Sequence, residues 1–149
     1  MKQRFLLDTS CMVALVCGWH ADHASTTHEV KRRFSRGEEL VVAAPALVET
    51  YSVLTRLPSS HRLPPAEALS LLDANFMNDV EVTALPARVY RALLSRAPSL
   101  QIQGGRVYDA VIVECALQAG AGALLTLNES HFRSWESERL KVVVPVAGR

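Results

Sequence analysis

Four oxygen-bearing side chains stand where an apolar run gives way to polar residues or a helical stretch begins. Asp8 directly follows Phe5-Leu6-Leu7, Glu49 lies shortly after Pro45, Asp109 closes Arg106-Val107-Tyr108-Asp109, and Asn128 closes Thr126-Leu127-Asn128. The three acids sit in apolar company. Asp109 has Ile112, Val113 and Ala116 at i+3, i+4 and i+7, and Glu49 has Ala46 and Val53 on its helical face. A carboxylate is rarely buried without a partner, because its charged form loses hydration. Three acids converging with few basic residues nearby repel one another, and a hard divalent cation, magnesium or manganese, relieves that repulsion through oxygen ligands. Each residue taken singly also has a purely structural reading. Asp8 or Ser10 caps a helix, Asp109 complements a helix dipole, Glu49 pairs with an arginine, and Asn128 caps the helix after it. The four together, each beside its own strand end or helix start, favour a site.

Five short apolar runs read as strands: Arg4–Leu7, Leu40–Ala43, Val80–Ala84, Ala123–Leu127 and Lys141–Pro145. They are β-branched or leucine-rich and mostly do not alternate polar with apolar, the pattern of strands covered on both faces. Helical stretches lie between them: Cys11–Val16, Asp22–Ser35, Ala46–Leu57, Ala66–Phe76, Ala87–Ala97 and Val107–Ala119. Pro45, Pro64, Pro65 and Pro86 stand at helix starts, and Gly120 stands at a helix end. Strands alternating with helices predict an α/β layered sandwich around a mainly parallel sheet. In such folds the site lies outside the carboxyl ends of the strands, near the point where strand order reverses. Parallel topology would bring Asp8, Glu49, Asp109 and Asn128 to that one edge.

The chain has 149 residues and a formal net charge of +1, with 49% hydrophobic and 21% charged residues. That predicts a single domain spanning residues 1–149, and gives no bulk electrostatic pull toward a polyanion. No apolar stretch reaches the ~20 residues of a membrane span. Cys11, Cys17 and Cys115 make an odd count without CxxC spacing, which fits a reducing compartment, and a cytoplasmic location is expected. Several α/β chemistries are excluded. There is no GxxxxGK[ST], Gly120-Ala121-Gly122 precedes a strand instead of following one, and Ser10 stands where a haloacid-dehalogenase-type phosphatase needs a second aspartate. A phospho-receiver would need an acid where Leu85-Pro86 stands.

Four segments carry a resemblance: Leu6-Leu7-Asp8-Thr9-Ser10, Ala46-Leu47-Val48-Glu49, Gly104-Gly105-Arg106-Val107-Tyr108-Asp109-Ala110, and Leu125-Thr126-Leu127-Asn128-Glu129-Ser130-His131-Phe132. In order and spacing they resemble the four motifs of PIN domains, most closely those of VapC-type toxins of bacterial toxin–antitoxin pairs, from residue 5 to about 145. The resemblance implies a three-layer fold with a five-stranded, mainly parallel sheet, and a magnesium- or manganese-dependent endoribonuclease. Asp8, Glu49 and Asp109 match the family's three acids, with Asp8 and Asp109 as direct metal ligands and Glu49 as a ligand or water-orienting base. Asn128 falls where many members carry a fourth acid, and its amide keeps an oxygen ligand while dropping one negative charge. Thr9 and Thr126 are candidates for supporting hydrogen bonds, and Arg106, after its two glycines, is a candidate phosphate contact or else a surface arginine in a turn. An RNA substrate, an inhibitory antitoxin whose tail fills the site, and a homodimer are likewise implied by the family. The competing reading is a catalytically weak or inactive PIN-like module that binds RNA or protein, with Asn128 as the feature that favours it. A nuclease acting on structured DNA is a third reading.

The remaining polar and aromatic features are expected to be structural. Lys31-Arg32-Arg33-Phe34-Ser35-Arg36 reads as the solvated face of an amphipathic helix before it reads as an RNA-binding patch. His20, His23 and His28 are too loosely spaced, without a fourth ligand, for structural zinc. His61 and His131 have no evident partner, and Trp19 and Trp135 are expected to pack instead of stacking on bases.

Overall fold

The structure is a computed structural model that describes residues 2–146. Five strands, β1 (Arg4–Leu7), β2 (Glu39–Ala43), β3 (Glu81–Thr83), β4 (Ala123–Leu125) and β5 (Lys141–Val143), form one sheet in the order β3-β2-β1-β4-β5. Every neighbouring pair is parallel. Helices α1 (Thr9–Val16), α2 (His23–Ser35), α3 (Ala44–Thr55), α4 (Pro65–Leu72), α5 (Ala87–Arg96), α6 (Arg106–Gln118) and α7 (Glu129–Phe132) flank it in a three-layer α/β arrangement. From β1 the chain steps outward through β2 to β3, then returns to lay β4 and β5 on β1's other side. Strand order therefore reverses between β1 and β4, where α/β folds place their ligands.

Burial explains the strand sequences. Phe5, Leu6 and Leu7 of β1 are buried, as are all of β4 and all of β2 after Glu39, so the central strands need apolar side chains on both faces. The expectation of two-sided cover fails at the edges. Glu81 and Val82 of β3 are exposed, and β5 presents Lys141 to solvent while burying Val142. These two strands each lack a neighbour on one side, and charged residues there discourage pairing with another chain. They are also shorter than the predicted Val80–Ala84 and Lys141–Pro145.

Local chemistry sets the helix ends that matter for the site. The Asp8 side chain caps α1 by accepting from the Cys11 backbone N–H. Pro45 sits in the first turn of α3, where its missing N–H is no loss. After α6, Gly120 adopts φ 68°. Its N–H donates to Leu117 O, and the Ala121 N–H donates to Ala116 O, which closes the helix and turns the chain into β4. The predicted Ala66–Phe76 helix proves to be α4 followed by one wide π turn, Asp73–Met77. Among the described residues, Cys11, Cys17 and Cys115 are buried free thiols, and no helix is long and apolar enough to cross a membrane.

Candidate active site

Asp8 leaves the buried end of β1 and is itself buried. Its Oδ1 accepts from Ser10 Oγ at 2.6 Å and from Cys11 N at 2.9 Å. Its Oδ2 accepts from Thr126 Oγ1, which in turn accepts from Asn128 N at 2.9 Å. Ser10 Oγ accepts from Leu127 N at 3.0 Å, and the Asp8 N–H donates to Leu125 O at 3.0 Å. The carboxyl ends of β1 and β4 are thus laced together through one carboxylate. Asp8 is both the helix cap and a cleft residue, so its structural and chemical readings coexist. Burial pushes its pKa up, the hydrogen bonds from Ser10, Thr126 and Cys11 pull against that, and the negative charge of Asp109 adds to the rise.

Glu49, on α3, is exposed and pairs with no arginine among the described residues, contrary to its structural reading. Asp109, in the first turn of α6, is half-buried. Its pKa is raised mainly by burial and also by the charge of Glu49, while His131 and Arg106 oppose the shift. Asn128 precedes α7, yet its side chain makes no capping bond. Asp8, Glu49, Asp109 and Asn128 all line one open cleft of about 270 Å³, together with Thr9, Ser10 and His20.

The donor set suits a hard cation, since carboxylates, an amide oxygen and hydroxyls are all oxygen ligands. Thr9 Oγ1 is buried without a hydrogen-bond partner, an orphaned polar atom beside the acids. Among the described residues, no group of three or more His, Cys, Asp or Glu converges tightly enough to cage a metal. A shared open cleft fits magnesium better than a cage would, because that ion keeps several waters and typically takes one or two carboxylates together with substrate phosphates.

Arg106 does not line the cleft. Its guanidinium lies 4.5 Å from the Trp135 ring centroid and donates to Ser134 Oγ at 3.1 Å. Stacking of this kind holds an arginine flat against an aromatic face. Two cations of the basic run are ion-paired: Arg32 and Arg33 both donate to Glu29, and Arg33 also donates to Glu38. Arg33 lies over Phe5 near the strands' amino ends, across the sheet from the acids.

Two histidines were not legible as site residues. His131 Nδ1 lies 3.6 Å from Asp109 Oδ2, so the expectation that it lacks a partner is corrected. Its place three residues after Asn128 was the available signal, which needed the short helix α7 to gain meaning. His20 lines the cleft from the α1–α2 loop, its Nδ1 accepting from Asp22 N at 3.0 Å, and nothing in its sequence neighbourhood points there. His61 also has a partner, the Trp19 ring.

Sheet order, switch point and cleft together define a class, and comparison with known proteins gives it a name. The PIN domain family pattern matches residues 5–134, and the chain belongs to that family. It is 37% identical over 139 residues to Ribonuclease VapC40 of Mycobacterium tuberculosis, covering 91% of this chain and 94% of that protein. In fold it is similar to the crystal structure of Mycobacterium tuberculosis VapC20, described as a sarcin-ricin loop cleaving toxin, with TM-score 0.67 at 17% identity over 90% of this chain and 97% of that one. It is also similar to VapBC2 from Rickettsia felis bound to a DNA fragment from its promoter, with TM-score 0.66 at 17% identity over 95% and 98% of the respective chains.

Proposed function

We propose that this chain is a divalent-metal-dependent endoribonuclease and the toxin of a toxin–antitoxin pair, acting as one domain in the cytoplasm. The observation that carries the reading is the gathering of Asp8, Glu49, Asp109 and Asn128 in one cleft at the β1/β4 switch point, with two carboxyl pKa values raised. The likeness to Ribonuclease VapC40 supports RNA as the substrate. The likeness to the VapBC2 complex supports an antitoxin partner. A homodimer rests on family resemblance alone.

Asp8 and Asp109 would hold a magnesium or manganese ion, with Glu49 as a further ligand or as the base that orients the attacking water. Such an ion supplies a water acidic enough to ionise near neutral pH and offsets charge on the phosphoryl oxygens. Thr126 and Ser10 fix the Asp8 carboxylate, so it meets its ligand without reorganising. His131 faces Asp109 and steadies its ionised form. Asn128 offers one neutral oxygen at the rim. Arg106, stacked on Trp135, tempers the negative field at Asp109 from outside the cleft.

Incubation of the purified protein with a cellular RNA pool in magnesium, manganese or chelator tests the reading. Cleavage in metal that stops in chelator, leaving 5′-phosphate and 3′-hydroxyl ends, is expected for attack by water. Ends bearing a 2′,3′-cyclic phosphate would contradict it. No cleavage by folded protein free of antitoxin would favour the binding-module reading, which the uncharged Asn128 supports.

A further inference from the structure

Two loops meet beside the cleft through an aromatic stack. The α1–α2 loop carries Trp19, and the α3–α4 loop carries His61, their ring centroids 4.0 Å apart and their planes 17° from parallel. The Trp19 ring also lies 5.8 Å from the His20 ring, and His20 lines the cleft beside the acids. Both loops are held by their own backbone. His20 N donates to Cys17 O and His23 N to His20 O, while His61 N and Arg62 N both donate to Pro58 O. Trp19 nevertheless leaves 48% of its surface exposed. A stack that served only to fasten two loops would gain by burying the ring, and a large exposed aromatic marks a contact surface.

Electrostatics adds a second argument. An RNA strand entering the cleft approaches three acids, Asp8, Glu49 and Asp109, and among the described residues no lysine or arginine lines that cleft. Arg4 is paired with Glu39 and Glu81, Arg32 and Arg33 with Glu29, Arg96 with Glu114, and Arg133 with Glu129 and Glu136. Beyond the phosphate contacts that a bound ion would make, holding RNA near the acids therefore calls for something other than a cationic side chain. Base stacking on a preformed aromatic surface supplies it and tolerates any sequence. Of the two tryptophans, Trp135 is covered by Arg106, which leaves Trp19 as the open face.

We infer that the Trp19–His61 stack is a platform for one unpaired nucleobase of the RNA, set one ring beyond His20 at the rim of the cleft. The inference rests on the ribonuclease reading and deepens it: the substrate is single-stranded at the nucleotide next to the cut, and Trp19 positions it without touching the reacting atoms.

The test compares wild type with Trp19→Phe, Trp19→Leu and His61→Ala on short single-stranded RNA of mixed sequence, on the same RNA in duplex, and on single strands with an abasic nucleotide at each position in turn. Trp19→Leu keeps apolar bulk against His61 but removes the stacking face, and melting curves confirm that each variant folds. Trp19→Leu should raise KM for the single strand about ten-fold with kcat nearly unchanged, and Trp19→Phe should recover most of the loss. One abasic position should cost wild type a comparable factor and cost Trp19→Leu nothing more, which a merely structural ring would not produce. Duplex RNA should be cut poorly by all. Unchanged KM in Trp19→Leu, or an abasic penalty that simply adds to the variant's, overturns the platform while leaving the ribonuclease standing. Wild-type protein that neither binds nor cuts RNA overturns both.

Discussion

Asp8 shows how much one side chain carries in this fold. Its carboxylate caps α1, ties β1 to β4 through Thr126 and Ser10, and lines the cleft. Removing one partner from such a buried set leaves an unsatisfied acceptor, which costs about 1–3 kcal/mol. Thr126→Val keeps the volume of a fully buried residue but strips the donor to Asp8 and the acceptor for the Asn128 N–H. Urea unfolding should show a loss of about 1–3 kcal/mol, from a lower midpoint at unchanged slope. In metal-free protein the charge of Asp109 is itself a cost to the fold. Burial and the charge of Glu49 raise its pKa, so the folded chain holds that proton to higher pH than the unfolded chain does. Its contribution to stability is complete below the unfolded carboxylate value near ~4, and disappears as pH rises through the raised folded value. Asp109→Asn should therefore melt higher than wild type at pH ~7 in chelator, with the gap closing on acidification. The four candidate residues were legible because each lies just after an apolar run or within the first turns of a helical stretch. His20 and His131 were not, because their roles exist only once a loop and a short helix fold over the cleft.

At the scale of elements, apolar runs and helix punctuation located all five strands and six of the helices, and the misplacements have physical causes. β3 and β5, at the edges, pair on one side only and end sooner than their apolar runs do. β4 stops at Leu125, although the Thr126 N–H still donates to Val143 O of β5 while its hydroxyl donates to Asp8. Helix α7 and the 3-10 turn Arg133–Trp135 are too brief to show periodicity, and both appear where Arg133 pairs with Glu129 and Glu136. Gly120 was readable as a helix stop, and its φ of 68° confirms the reason. An alanine there would enter the left-handed region at a cost of about 1–2 kcal/mol. Gly120→Ala should lower the melting temperature while leaving cleavage of RNA intact, since the strain falls at the β4 start, across the sheet from the acids. Loss of cleavage without loss of stability would show that this turn does more than close α6.

Across the whole molecule, parallel topology is what makes four scattered motifs one site. Asp8 and Asn128 come from neighbouring strands on either side of the reversal, and Glu49 and Asp109 from helices that begin at the same edge. Net charge of +1 gives no bulk pull toward a polyanion, and Arg32 and Arg33 of the basic run are held by Glu29. The acid cleft, in contrast, is a liability to the fold unless a cation occupies it, and that is the central claim. It is tested most directly by following wild type and Asp109→Asn side by side through a magnesium titration, reading melting temperature and RNA cleavage on the same samples. The account predicts that magnesium raises the melting temperature of wild type and switches on cleavage over the same concentration range, and that Asp109→Asn shows neither response. Equal cleavage by both proteins, or cleavage undiminished in chelator, would contradict it.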